Sequence, residues 1–146
     1  VRAEHSPIDG LIHLVGGWRG GGGLDGQTDE DEEFLHRRIV TTLRGATRAF
    51  NADLLASLAG RLAIVSSVAV DKPTPGGANY ASAKAAAETW TRAVGHGFEK
   101  SGDTAAAVIF AVQSLDGLEA ELAARVLALW DSTAATLNNT RHVLGR

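Results

Sequence analysis

The chain's only tyrosine, Tyr80, stands four positions before Lys84 in the stretch YASAK. On a helix such a pair shares one face. A phenol with an unperturbed pKa near ~10 is a poor proton donor or acceptor at neutral pH. A neighbouring ammonium stabilises the phenolate and lowers that value, which is how a tyrosine becomes a general acid/base. Ser67, thirteen residues before Tyr80, is placed to share a substrate oxygen with the phenol. A Tyr–Lys pair at this spacing also arises by chance, as one turn of an ordinary amphipathic helix. The setting distinguishes this one: an apolar run, Ser66–Ser67, a Pro/Gly loop, Y-x-x-x-K and an Ala-rich stretch follow one another in that order.

Other candidate chemistries are weaker. Gly21, Gly23 and Gly26 match G-x-G-x-x-G, but that motif needs a strand running straight into it and a helix N-terminus facing a pyrophosphate. Here the preceding apolar run ends well before Gly21, and the next helical stretch opens with Asp29, Glu30, Asp31, Glu32 and Glu33, which would repel a phosphate. The glycines read instead as a flexible loop. His5, His13, His36, His96 and His142 are scattered without His-x3-His spacing, so no metal site is expected. His13, inside an apolar run, reads as a hydrogen-bonded core histidine. Ser66 and Ser67 lack the flanking glycines of a hydrolase elbow.

The elements that must position these residues follow from the hydrophobic pattern. Leu11 to Val15 and Leu62 to Ser66 are short apolar runs without helical period, and each reads as a buried strand. TAAAVIFAV supplies a third strand and TRHVLG a short fourth. Between them, residues 29–58 keep helical spacing behind a Thr28 cap and an acidic first turn. Residues 79–100 and 118–133 read as two further helices, with Trp90 and Phe98 as packing residues. Alternation of strand and helix predicts crossovers on a parallel sheet. No linker or repeat divides the chain, so residues 1–146 read as one α/β unit.

Composition narrows the partners. A net charge of -3 gives no electrostatic case for nucleic acid or an anionic membrane surface. No apolar run approaches the ~20 residues of a transmembrane helix, and VRAEHSPIDG carries no signal-peptide pattern. The absence of cysteine excludes disulfides and thiolate metal sites, and fits a reducing, cytoplasmic setting.

With Ser67, Tyr80 and Lys84 set between strand and Ala-rich helix, the sequence resembles the short-chain dehydrogenase/reductase family. GRLAIVSSVAVDKPTPGGANYASAKAAAETWTRAV is similar to that family's fifth strand, catalytic serine, and tyrosine–lysine helix. IDGLIHLVGG resembles its fourth strand and NNAG stretch, and ARVLALWDSTAATLNNTRHVLG its last helix and strand. GGWRGG and TPGGANYASAK look most like the dihydropteridine-reductase-like branch. The resemblance implies the C-terminal, catalytic half of a Rossmann-like, doubly wound parallel sheet, and an oxidoreductase using NAD or NADP on a small carbonyl or alcohol. Tyr80 would then be the general acid/base, Lys84 would hold the nicotinamide ribose, and Ser67 would orient the substrate oxygen. Leu14, Val15 and Gly16 would line the cofactor. It further implies a homodimer or homotetramer paired through the helices near 29–58 and 79–100.

The sequence departs from the family in places. NNAG reads HLVG here, Thr42 replaces the helix asparagine, and the Pro-Gly after the third strand is absent from FAVQSLDG. These losses keep open an alternative, a non-catalytic binding or assembly module on the same fold. The strand, Gly-rich turn and helix with which the family begins are not in these residues, and the chain has no methionine. The expectation is that the physical protein carries further N-terminal sequence, without which the edge of the first strand would invite aggregation.

Overall fold

The computed structural model describes residues 7–145. Four strands, β1 (Gly10–His13), β2 (Arg61–Ser67), β3 (Ala106–Val112) and β4 (Thr140–Val143), form one sheet in the order β1-β2-β3-β4. Every pairing is parallel, as the strand–helix alternation predicts. Each crossover carries helix: α1 (Asp29–Leu35) and α2 (Thr42–Ala56) between β1 and β2, α3 (Ala78–Ser101) between β2 and β3, and α4 (Glu119–Leu127) and α5 (Ala134–Leu137) between β3 and β4.

Side-chain alternation along the central strands builds two cores. Leu62, Ile64, Ala107 and Ile109 pack with Leu35, Ile39, Leu43 and Phe98 beneath α1, α2 and α3. Ala63, Val108, Phe110 and Val112 face the other way, onto Leu122 and Leu129. The alanines Ala83 and Ala87 are buried on the sheet side of α3, where small side chains let the helix lie close. Among the described residues, no helix is long and apolar enough to cross a membrane.

Several boundaries differ from the sequence-based expectation, each for a physical reason. The first strand ends at His13, where its pairing with Ile64 stops, so Leu14 and Val15 lie beyond it and are exposed. The strand is also only partly buried, because it pairs on one side alone among the described residues. The long helix expected over 29–58 is broken in hydrogen-bond register by a π-helical stretch, His36–Thr41, between α1 and α2. The last long helix closes early, as a 3-10 turn at Ala128–Asp131, and the short α5 follows. The Thr28 cap and acidic first turn of α1 are as expected, with the Thr28 hydroxyl accepting from the Asp31 amide at 3.2 Å.

Two buried ionic groups hold this frame. Arg61, at the start of β2, is 3% exposed, and among the described residues its guanidinium donates to the backbone carbonyls of Leu129, Gly60, Thr104 and Ser132, all at 2.8–2.9 Å. Glu88, in the middle of α3, is 1% exposed, and its partners belong to the site described next.

Candidate active site

Ser67 ends β2 at the C-terminal edge of the sheet, and Tyr80 lies in the first turn of α3. Both line a cavity of about 610 Å³ with Trp18, Lys72, Gly76 and Gln113. Lys84 sits one helical turn deeper, buried, with Nζ donating to the Val65 carbonyl at 2.9 Å. Its ammonium is 5.8 Å from the Tyr80 ring centroid. Sequence spacing and fold therefore agree on one cluster of Ser67, Tyr80 and Lys84.

Burial sets the ionisation of this cluster. It raises the Tyr80 phenol above its usual value, and the facing Ser67 hydroxyl partly offsets the rise. It lowers Lys84 to about 8, with Glu88 pulling the other way. Between about pH 8 and the ordinary 10.5 the unfolded chain therefore holds more protons at Lys84 than the folded one. Stability contributed by this group rises with pH across that window, and below it the buried charge is a net cost. Lys84→Met is expected to be at least as stable as the parent at pH 7 and to lose much of the rise between pH 8 and 10.5. Urea unfolding at several pH values checks this, and a variant less stable at pH 7 with an unchanged pH slope would contradict it.

The residues after β1 are arranged around Lys84 unevenly. Gly16 is close: a Cβ there would lie 3.6 Å from Lys84 Nζ. Its carbonyl accepts from Arg38 Nε at 3.0 Å, which ties the strand exit to the π-helical stretch. Leu14 and Val15 are 60% and 44% exposed and are not part of the cavity lining. His13 is the satisfied core histidine expected from sequence, with Nε2 2.9 Å from the Thr42 hydroxyl. That hydroxyl donates to the Arg38 carbonyl at 2.5 Å. A threonine has one proton to give, so His13 Nε2 is the donor of the pair. Burial and the Lys84 charge both lower the His13 pKa.

The glycine loop is held, not free. Positive φ angles at Gly21, Gly22 and Gly23 fold it back, a shape few other residues adopt. Gly21 N–H donates to the Gly76 carbonyl at 2.8 Å. The Gln27 amide donates to the carbonyls of Gly21, Gly23 and Gly76 at 3.0–3.2 Å. Gln27 Oε1 accepts from the Asn79 amide at 3.1 Å, satisfying an N–H that the start of α3 would otherwise leave open. One side chain thus clasps the loop carrying Trp18 to the loop preceding Tyr80. Gln27→Ala is expected to speed exchange of the Asn79 amide by about fivefold, from loss of roughly 1 kcal/mol of hydrogen bonding. Hydrogen exchange by NMR reads it directly, and an unchanged rate would rule the clasp out. Arg19 is occupied as well, over the Phe34 ring at 4.0 Å and 3.7 Å from Asp31.

Glu88, Arg141 and Gln27 did not stand out in the sequence as site residues. Glu88 had a usable signal, since Tyr80, Lys84, Glu88 and Arg92 recur every four residues and so share one face of α3. Among the described residues no group of His, Asp or Glu side chains could hold a metal ion.

A parallel sheet packed with helices on both faces, its polar cluster at the C-terminal ends of the strands, is Rossmann-like. Within that class the chain belongs to the short chain dehydrogenase family, whose model matches residues 1–115. A short chain dehydrogenase from Escherichia coli CFT073, solved in complex with NADPH, is similar with a TM-score of 0.81 at 16% identity. The match covers 97% of this chain and 64% of that one. An oxidoreductase of the family from Brucella ovis, in complex with partially ordered NAD, gives 0.79 at 18% identity over 98% and 67% of the two chains. A further short chain dehydrogenase/reductase family protein gives 0.78 at 18% identity over 97% and 67%. The chain thus spans about two thirds of the length of these structures. At such identities they show the fold. No curated protein matches the chain.

Proposed function

We propose that the protein is an NAD(P)-dependent oxidoreductase acting on a carbonyl or alcohol of a small molecule. The observation that carries this reading is the convergence of Ser67 and Tyr80 on one cavity wall with Lys84 a turn beneath them, in a chain of this family. NAD or NADP, when bound, supplies or accepts the hydride. Lys84 fits the ribose of such a cofactor. Its ammonium has three protons and the Val65 carbonyl takes one. Gly16 leaves the space beside it clear of a side chain, and the exposed Leu14 and Val15 offer apolar surface just after the strand. Ser67 orients the substrate oxygen by hydrogen bonding. Tyr80 gives that oxygen a proton as a carbonyl is reduced, or takes it as an alcohol is oxidised. Lys84, while charged, favours the phenolate that is left.

One observation favours the second reading, a non-catalytic binding or assembly module. Burial moves Tyr80 up and Lys84 down, both away from the phenolate–ammonium state. Calorimetry of NADH and NADPH against the full-length protein separates the two. Saturable binding of either that is weakened by Lys84→Met supports the enzyme, and binding of neither supports the module. In either case we propose a homo-oligomer paired through the outer faces of α1–α2 and α3, and sedimentation that finds only monomer at micromolar concentration would refute it.

A further inference from the structure

The Glu88 carboxylate is buried, has three side-chain partners and is not used by the proposed chemistry. Oε1 accepts from the Ser66 hydroxyl at 2.6 Å. Both carboxylate oxygens lie 3.1 Å from Arg141 Nε, and Oε2 accepts from Arg92 Nη2 at 2.9 Å. Arg141, on β4, continues to Asp71 at 3.0 Å and to the Ser67 carbonyl at 3.3 Å. The end of β2 is therefore gripped twice, through the Ser66 side chain and through the Ser67 carbonyl, and both grips lead to one carboxylate. That carboxylate lies one helical turn from Lys84 and two from Tyr80.

Resting on the functional reading above, we infer that Glu88 is a positioning residue for the site. With Arg141 it fixes the strand end bearing Ser67 against the turns of α3 bearing Tyr80 and Lys84. Stability alone is a poor explanation for such a network, because apolar residues of similar volume commonly match or exceed a buried ion pair. A register role explains its partners better: Ser66 and, through Arg141, the Ser67 carbonyl belong to the strand end that bears the site, while Arg92 is an exposed partner one turn further along α3. The carboxylate also acts on Lys84 through space. The charged and titratable groups around that ammonium are His13 from β1, Tyr80 and Glu88 from its own helix, and Arg92, Arg141 and Asp71 through Glu88.

The test is a pH titration of Lys84 by NMR in full-length protein labelled with 13C,15N-lysine, the signal being assigned with Lys84→Arg. The parent is expected to titrate near about 8. Glu88→Gln removes the favourable negative charge and is expected to lower the midpoint by about one pH unit. Arg141→Gln removes a competing positive charge and is expected to raise it. A purely structural role would not produce shifts of opposite sign. Folding is checked by circular dichroism, and if Glu88→Gln does not fold, the upward shift in Arg141→Gln decides. Unmoved midpoints in the folded variants would overturn the inference. Lys84→Met separates its failure from that of the functional reading. Turnover that survives Lys84→Met removes the site itself. Turnover lost in Lys84→Met, with Lys84 midpoints unmoved by the Glu88 and Arg141 changes, removes only the role of Glu88.

Discussion

Replacing Tyr80 with phenylalanine is expected to lower kcat for NAD(P)H-linked turnover by about 10²–10⁴-fold, the range of a lost general acid/base. Affinity for the cofactor should change only a few-fold. The ring of Tyr80 packs against the core beneath α3, and phenylalanine keeps that packing. Lys84 keeps its bond to the Val65 carbonyl, which does not involve the phenol. The change therefore isolates one hydroxyl. Steady-state rates with cofactor binding measured on the same preparation check it. Unchanged turnover would take Tyr80 out of the chemistry and leave the Ser67–Tyr80 wall as a binding surface.

The largest effect on stability is expected at Arg61, far in sequence from the cluster. Its guanidinium serves four carbonyls contributed by the residue before it, the loop entering β3 and the segment after α4. Among the described residues no carboxylate neutralises it, so its contribution there is hydrogen bonding to groups that burial has stripped of water. Removing it with Arg61→Ala should destabilise the fold by about 3–5 kcal/mol, because several buried carbonyls lose their donor together. Arg61→Met keeps the apolar stem and should be nearly as damaging, which separates lost donors from lost packing. Denaturant unfolding measures both. A loss below about 1 kcal/mol in each would show that water replaces the guanidinium and that the clamp is dispensable.

The architecture was legible wherever burial is two-sided. RLAIVSS and AAVIFAV are apolar on both alternating faces, and they became the two central strands β2 and β3. The edges were harder. IHLV is as apolar as a core strand, yet pairing ends at His13, and nothing in the residue types says that Leu14 and Val15 emerge into solvent. The π-helical stretch at His36–Thr41 contains neither Gly nor Pro, so composition gave no warning of it. The glycine loop misled in the opposite direction. Its composition implies freedom, whereas Gln27 binds it to Gly76 and Asn79, partners 49 and 52 residues away.

The site was legible in part for the same reason. Tyr80, Lys84 and Ser67 could be linked because helix periodicity and strand-to-helix order are local properties. Arg141 could not, because its link to Glu88 exists only once β4 has joined the sheet, 53 residues further on. An arginine in the short final strand and a glutamate in an Ala-rich helix carry no local sign that they will meet. Folding places both beneath the strand end that carries Ser67.

The most direct measurement is the oxidation of NADH and NADPH, followed at 340 nm, by full-length protein offered a panel of small carbonyl and quinonoid compounds. Turnover with at least one compound, saturating in that compound and abolished by Lys84→Met, is the result expected if Ser67, Tyr80 and Lys84 form a working hydride-transfer site. Protein that binds a nicotinamide cofactor and a panel compound together, yet turns over no faster than its Tyr80→Phe and Lys84→Met variants, would contradict it.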